Sequence, residues 1–276
     1  MKPVLLVIGS EVISGYDFMM ALAVILGSIM VIYLAKKDGI HLAKVIPFLV
    51  LFVMVSLMGA KLYLVIHTFL TDPMSMVKNP HEIFNILGSG GVFYGGFLAA
   101  IFFSAWYLRK IGLSFWRLMD IMAVGAAIGH ALGRIGCFLA GCCYGIPTNF
   151  FLAVKFPHLP VPVHPTQLYA SILNFINFII LLRFFKKRKF HGHVAAFYLM
   201  NYAVIRFVVE YFRGDFGRGY LVRGPSTLMR LSIPQFISLL LFLAGILVYW
   251  IKKRKEKPRH QSPEQIAGTL PVVEVQ

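Results

Sequence analysis

Leu118-Met-Asp-Ile-Met-Ala-Val-Gly-Ala-Ala-Ile-Gly-His-Ala-Leu-Gly-Arg-Ile-Gly-Cys-Phe138 is an almost unbroken apolar segment, and its reading decides the fold. About 20 such residues in helical form cross the roughly 30 Å of hydrocarbon in a bilayer. The segment nevertheless carries Asp120, His130 and Arg134. A cation at membrane depth costs about 3 kcal/mol even on lenient insertion scales, so Arg134 needs a partner or an anionic ligand. Gly133 and Gly136 flank it, and Gly141 and Gly145 follow in Leu-Ala-Gly-Cys-Cys-Tyr-Gly. Glycines at this density suggest that something lies close against the backbone.

The whole chain matches that segment. Of its 276 residues 58% are hydrophobic and 14% charged, which excludes an ordinary soluble domain. Apolar runs at residues 17–35, 46–69, 91–108, 118–138, 169–185, 194–212 and 234–251 predict an all-α integral membrane protein of about seven transmembrane helices. Lysines and arginines collect after the first, third, fifth and seventh runs: Lys36, Lys37 and Lys44, then Arg109, Lys110 and Arg117, then Lys186 to Lys189, then Lys252 to Lys255 and Lys257. The positive-inside rule makes those faces cytoplasmic and leaves the amino terminus outside. The net charge of +16 is thereby a topology signal, and nucleic acid is not an expected partner. Residues 1–252 read as one membrane domain. Residues 253–276 read as a basic, disordered cytoplasmic tail with no apolar period. Residues 1–10 faintly imitate a signal peptide, but the core is short and Glu11 breaks it.

Cys137, Cys142 and Cys143 are the only cysteines. They read as small packing residues, as a disulfide facing an oxidising compartment, or as ligands of a soft metal. No histidine is interleaved at finger-like spacing and no second cysteine pair follows, so neither a metal nor a cofactor is expected.

Arg206 and Glu210, four apart in Arg206-Phe-Val-Val-Glu-Tyr-Phe-Arg213, share a helix face and can pair within the membrane. A structural ion pair is the plainer reading. The guanidinium fork, however, suits phosphate and stays charged at any working pH, so Arg134 and Arg206 on different spans are expected to converge on one lipid headgroup. Arg213 and Asp215 extend the charged set. His164-Pro-Thr-Gln-Leu-Tyr169 opens the fifth span, where His164 is either a base or a cap, Thr166 and Gln167 can satisfy free backbone donors, and Tyr169 suits the headgroup level. Tyr94-Gly95-Gly96 enters the third span, with glycines that allow close helix approach or a bend. No Lys-Ser/Thr ending follows the glycines around Arg134, so they do not form a nucleotide loop.

Together, Gly133-Arg-Ile-Gly-Cys-Phe138 with Gly141 and Tyr144-Gly145, His164-Pro-Thr-Gln-Leu-Tyr169 and Arg206-Phe-Val-Val-Glu-Tyr-Phe-Arg213 resemble the bacterial phosphatidylglycerol-prolipoprotein diacylglyceryl transferases. The order, the spacing and the span count fit over nearly the whole membrane region. The resemblance implies an enzyme of the plasma membrane that moves the diacylglyceryl group of phosphatidylglycerol to the lipobox cysteine thiol of a preprolipoprotein. A thioether forms and glycerol phosphate is released. It also implies that Arg134 and Arg206 hold the phosphate and that Glu210 orients Arg206. Tyr16 resembles the family's tyrosine near the first span, and Lys61 stands where the family usually has arginine.

Several positions depart from that pattern. The family's histidine in a His-Gly-Gly motif is Tyr94 here, its asparagine after Arg-Xaa-Gly is Cys137, an acidic residue is Cys142, and another acidic residue is Ala170. His130, four residues before Arg134 and on the same helix face, is expected to supply the missing imidazole. A related transferase with another acceptor, or an anion transporter, are the competing readings. No internal repeat of the kind transporters use is visible.

Overall fold

The structure is a computed structural model that describes residues 4–8, 11–71, 93–214, 219–222 and 231–255. Within them run α1 (Gly15–Lys37), α2 (Leu42–Thr71), α3 (Phe93–Lys110), α4 (Phe115–Ala140), α5 (Thr166–Phe185), α6 (His193–Phe212) and α7 (Ile233–Lys255). All but α3 are long and apolar enough to cross a membrane. The expected third span is thus a helix of 18 residues that ends in Arg109 and Lys110, and the first two positions predicted for it lie outside the described residues. Two short antiparallel hairpins, which the apolar pattern does not show, complete the described elements: β1 (Val4–Ile8) with β2 (Glu11–Ser14), and β3 (Tyr220–Val222) with β4 (Leu231–Ser232). The Arg134–Gly145 stretch falls on the last turns of α4 and the loop beyond it. The predicted tail beyond Lys255 and the loop carrying Asp215 lie outside the described residues.

Small residues set the helix contacts, as expected where lipid is as apolar as leucine and only close packing favours association. A side chain on Gly125 of α4 would come within 2.6 Å of Val31 and 2.9 Å of the Gly27 carbonyl of α1. One turn further on, Gly129 passes the Ala23 carbonyl, and Gly136 passes Met19 and Tyr16. The glycines that looked from the sequence like room for a ligand are therefore mostly room for α1. Gly95 and Gly96 of α3 do the same against α2, where added side chains would come within 2.5 Å of the Gly59 carbonyl and 2.7 Å of the Ser56 carbonyl.

The charged ends of α1, α3, α5 and α7 lie at one end of the bundle. Asp38, just past α1, accepts from Arg117 Nε at the start of α4 (2.8 Å) and pairs with Arg188, just past α5. Lys44 reaches the Ile111 carbonyl (2.9 Å), and Lys252 lies over the Trp116 ring. A core of Phe48, Leu118, Ile121, Val124, Leu181 and Val194 fills the space behind these contacts.

Asp120 belongs to this end too. It is fully buried, and its carboxylate accepts from the backbone N–H of Gly192 (2.8 Å) and Ala195 (2.9 Å) at the start of α6. Asp120 therefore breaks the apolar pattern of its span to satisfy donors that no backbone carbonyl can reach, and it has no part in the site described below. Asp120→Ala is expected to cost about 2 kcal/mol, the upper range for a lost helix cap, and Asp120→Asn to recover only part of it, because its amide NH2 replaces one of the two accepting oxygens. Thermal unfolding in detergent measures both.

Candidate active site

At the opposite end, α4, α5, α6 and α7 enclose a cavity of about 380 Å³. From α4 it receives His130, Gly133, Arg134 and Cys137, whose three- and four-residue spacing places them on one face. From α6 it receives Tyr202 and Arg206, and from just beyond that helix Arg213. Ile237 and Leu241 of α7 give it an apolar side. The two arginines singled out in the sequence thus stand on one cavity wall although 72 residues separate them in the chain.

Their surroundings differ. Arg206 Nη1 donates to Glu210 Oε2 at 2.5 Å, and Glu210 is buried. The other carboxylate oxygen accepts from Ser232 Oγ at 3.3 Å. Ser232 in turn begins α7 through a reciprocal cap: its backbone N–H donates to Gln235 Oε1 (3.0 Å), and the Gln235 N–H donates to Ser232 Oγ (3.3 Å). Ser-Ile-Pro-Gln is a capping box, so the start of α7 and the aim of Arg206 are tied together. Arg134 has no carboxylate partner among the described residues. His130 shares its wall. Its Nδ1 is 2.9 Å from the Tyr198 hydroxyl, and Tyr202 packs on its ring with centroids 5.0 Å apart. The engaged Nδ1 leaves Nε2 to face other chemistry.

The loop after α4 closes the end of the cavity. Gly141 stops the helix in the left-handed region (φ +70°), which a side chain disfavours, and His158 packs 2.9 Å from where its Cβ would stand. Cys143 also has a positive φ of 63°. Thr166 Oγ1 donates to the Cys143 carbonyl (2.7 Å) and Gln167 Nε2 to the Cys142 carbonyl (2.6 Å), so the first turn of α5 holds the loop. Cys137 and Cys143 line the cavity, and the three cysteine sulfurs lie within 4.8 Å of one another. Hydrogen bonds from the Cys137 and Cys142 thiols, helped by Arg213 and Arg134, draw the Cys143 thiol well below its usual range. The Cys142 thiol, hydrogen-bonded to the same neighbours, is pushed up. Gly145 pairs with Arg213 in a β-bridge and sits so close to the Phe212 and His164 carbonyls that no side chain fits.

Other residues expected at the site lie off the cavity wall. His164 Nδ1 is 3.1 Å from the Tyr169 hydroxyl, and both rings pack on Phe212, beside the loop. Tyr16 packs over Gly136, and Lys61 lies on α2. The side chain of Tyr94 lies outside the described residues. Sequence reasoning missed Tyr198, Tyr202, Ser232 and Asn174. Asn174 is buried on the cavity wall and its Oδ1 has no hydrogen-bond partner. The Ser232-to-Gln235 spacing was a readable signal for the cap. Nothing in the sequence pointed to the two tyrosines.

Fold and site define a multi-pass helical membrane protein that presents cationic side chains inside a partly apolar cavity, a setting suited to an anionic amphiphile. The model of the prolipoprotein diacylglyceryl transferase family matches residues 3–251. The chain belongs to that family. It is similar to the phosphatidylglycerol-prolipoprotein diacylglyceryl transferases of Clostridium tetani, 33% identical over 93% of this chain and 100% of the relative, and of Finegoldia magna, 34% identical over 88% and 92%. The enzyme of that name from Clostridioides difficile is 33% identical over 88% of this chain and 93% of its own.

Proposed function

We propose that the protein transfers the diacylglyceryl group of phosphatidylglycerol to the lipobox cysteine thiol of prolipoproteins, with Arg134 and Arg206 holding the lipid phosphate. The convergence of those two side chains on one cavity carries the reading. Arg206 is aimed by Glu210, which Ser232 holds in turn, while Arg134 has no carboxylate partner among the described residues. As the thiol sulfur attacks the glyceryl carbon, the bond to the phosphate oxygen breaks and negative charge grows on the departing glycerol phosphate. Fixed guanidinium groups meet that charge without reorganising. The apolar side formed by Ile237 and Leu241 suits the first carbons of the acyl chains. Neither a nucleic acid nor a nucleotide has a part in this reaction.

His130 is the base in this reading, since it shares the wall with Arg134 and its ring is already oriented by Tyr198. His130→Ala is expected to lower the transfer rate about a hundredfold, the lower range for a lost general base, with phosphatidylglycerol binding retained. If that variant keeps full activity while Tyr94→Phe loses it, the tyrosine has the role.

The positive-inside rule places the end holding Asp38, Arg117 and Arg188 in the cytoplasm, with the carboxyl terminus, and the cavity toward the outer leaflet of the bacterial plasma membrane. The membrane domain then occupies residues 1–252, with residues 253–276 as a cytoplasmic tail. Complementation tests the function: the gene is expected to rescue a strain depleted of its own transferase. Failure to rescue despite normal membrane insertion points to another acceptor.

A further inference from the structure

The proposed reaction makes a thioether, so its acceptor must arrive at the glyceryl carbon as a thiolate. A free cysteine with a pKa near 8.5 is only about 3% ionised at pH 7. The structure gathers three further sulfurs at the end of the cavity in which the proposed reaction takes place. Cys137 lies on the last turn of α4, and Cys142 and Cys143 follow the left-handed turn at Gly141, so that residues i, i+5 and i+6 bring their sulfurs within 4.8 Å of one another. The backbone that carries them is held by Thr166 and Gln167. Cys137 and Cys143 line the cavity beside Arg134, and Cys142 closes the trio from the exposed side.

We infer that Cys137, Cys142 and Cys143 form a binding site for a thiophilic divalent cation of the zinc type, whose fourth position, on the cavity side, takes the acceptor cysteine. The inference deepens the transferase reading and rests on it for the identity of the acceptor. It departs from the sequence expectation that no metal is held. Spacing along the chain lacks the finger pattern, and only the turn at Gly141 shows the sulfurs meeting. Sulfurs bound tetrahedrally to zinc at about 2.3 Å stand about 3.8 Å apart, so the trio can close on an ion by side-chain rotation. Three thiolates around a divalent ion carry a net negative charge, which the neighbouring Arg134 favours.

With one position left to an outside ligand, the site has the form of a catalytic zinc centre rather than a structural one. The acceptor S–H loses its proton on coordination, and water relays it toward His130, which lies about two helical turns from Cys137. The bound thiolate then forms the C–S bond as the C–O bond to phosphate breaks, and the electron pair leaves with glycerol phosphate. The metal stays divalent, and the uncharged thioether dissociates as a poor ligand.

The test uses the full chain in detergent, reduced, stripped with a chelator and titrated with Co²⁺ alone. The expected result is saturation at one ion per chain, with sulfur-to-cobalt charge-transfer absorption and the intense visible bands of a tetrahedral site. Cys142→Ser is expected to abolish these bands, and a lipobox peptide to shift them when it carries cysteine but not when it carries serine. In phosphatidylglycerol vesicles, stripping is expected to slow transfer up to about 30-fold at pH 7, the factor set by thiol ionisation, and Zn²⁺ to restore it. Absence of stoichiometric uptake by the reduced wild-type chain overturns the site whatever the variant does. So does isolation of the trio as a disulfide that metal does not prevent. If stripped protein transfers as fast as loaded protein, the activating role fails while the transferase reading stands. If cobalt binds and reports the peptide, yet vesicles yield no thioether, the transferase reading fails while the metal site stands.

Discussion

Arg134→Gln is expected to abolish most diacylglyceryl transfer while leaving the fold intact or more stable. Removing one preorganised donor to a developing oxyanion costs roughly a hundred- to a thousandfold, and a guanidinium on phosphate belongs at the upper end. The stability half follows from the local geometry. Arg134 has no carboxylate partner among the described residues, so in the unliganded protein no carboxylate offsets its charge at membrane depth. Its removal is expected to raise stability in detergent by up to about 3 kcal/mol. A structural arginine would behave in the opposite way, losing stability and activity together. Arg134→Lys is expected to recover only part of the rate, because an ammonium is a point charge and cannot bind two phosphate oxygens as a planar fork. Initial rates in vesicles and unfolding midpoints in detergent, measured on the same preparations, separate the two cases.

Glu210→Leu is expected to be the most destabilising single change at the site. The carboxylate is buried, pairs with Arg206 at 2.5 Å and accepts from Ser232 at the start of α7. Taking one partner from a buried pair strands the other, at a cost of about 3 kcal/mol or more. Here it also removes the acceptor that joins the end of α6 to the start of α7. Activity is expected to fall with it, because Arg206 loses its aim. Glu210→Gln keeps a hydrogen-bonding group toward Ser232 and Arg206, and is expected to regain much of the stability but little of the rate. A bound anionic phospholipid supplies countercharge to Arg206, so phosphatidylglycerol is expected to raise the unfolding midpoint of Glu210→Gln more than that of the wild-type chain.

Part of this was legible in the chain and part was not. Apolar length alone placed six of the seven expected spans, since helix is the form in which a single segment satisfies its own backbone in lipid. That Arg134 and Arg206 stand together on one cavity wall was legible from charge in the wrong solvent. What the sequence could not separate was the use of each glycine. Gly95 and Gly96 could serve either close helix approach or a bend, and Gly136 something lying against the backbone; they face α2 and α1, which were only other apolar runs until the helices were packed. Asp120 shows the same ambiguity from the other side: a buried carboxylate looks catalytic until the free N–H groups of α6 are found beside it. The cysteine trio depends on one left-handed turn, so its sulfurs meet only in three dimensions.

The central claim is that one cavity binds the phosphate of phosphatidylglycerol through Arg134 and Arg206 and passes the diacylglyceryl group to a thiol. The most direct measurement reconstitutes the purified full chain in vesicles of defined lipid with a lipobox peptide and follows the peptide by mass spectrometry. A diacylglyceryl adduct on the cysteine, with release of glycerol phosphate, is expected when phosphatidylglycerol is present. None is expected with phosphatidylcholine alone and almost none with Arg134→Gln. A wild-type chain that leaves the peptide unmodified while passing anions across the same vesicles, or an Arg134→Gln chain that lipidates at the wild-type rate, would contradict it.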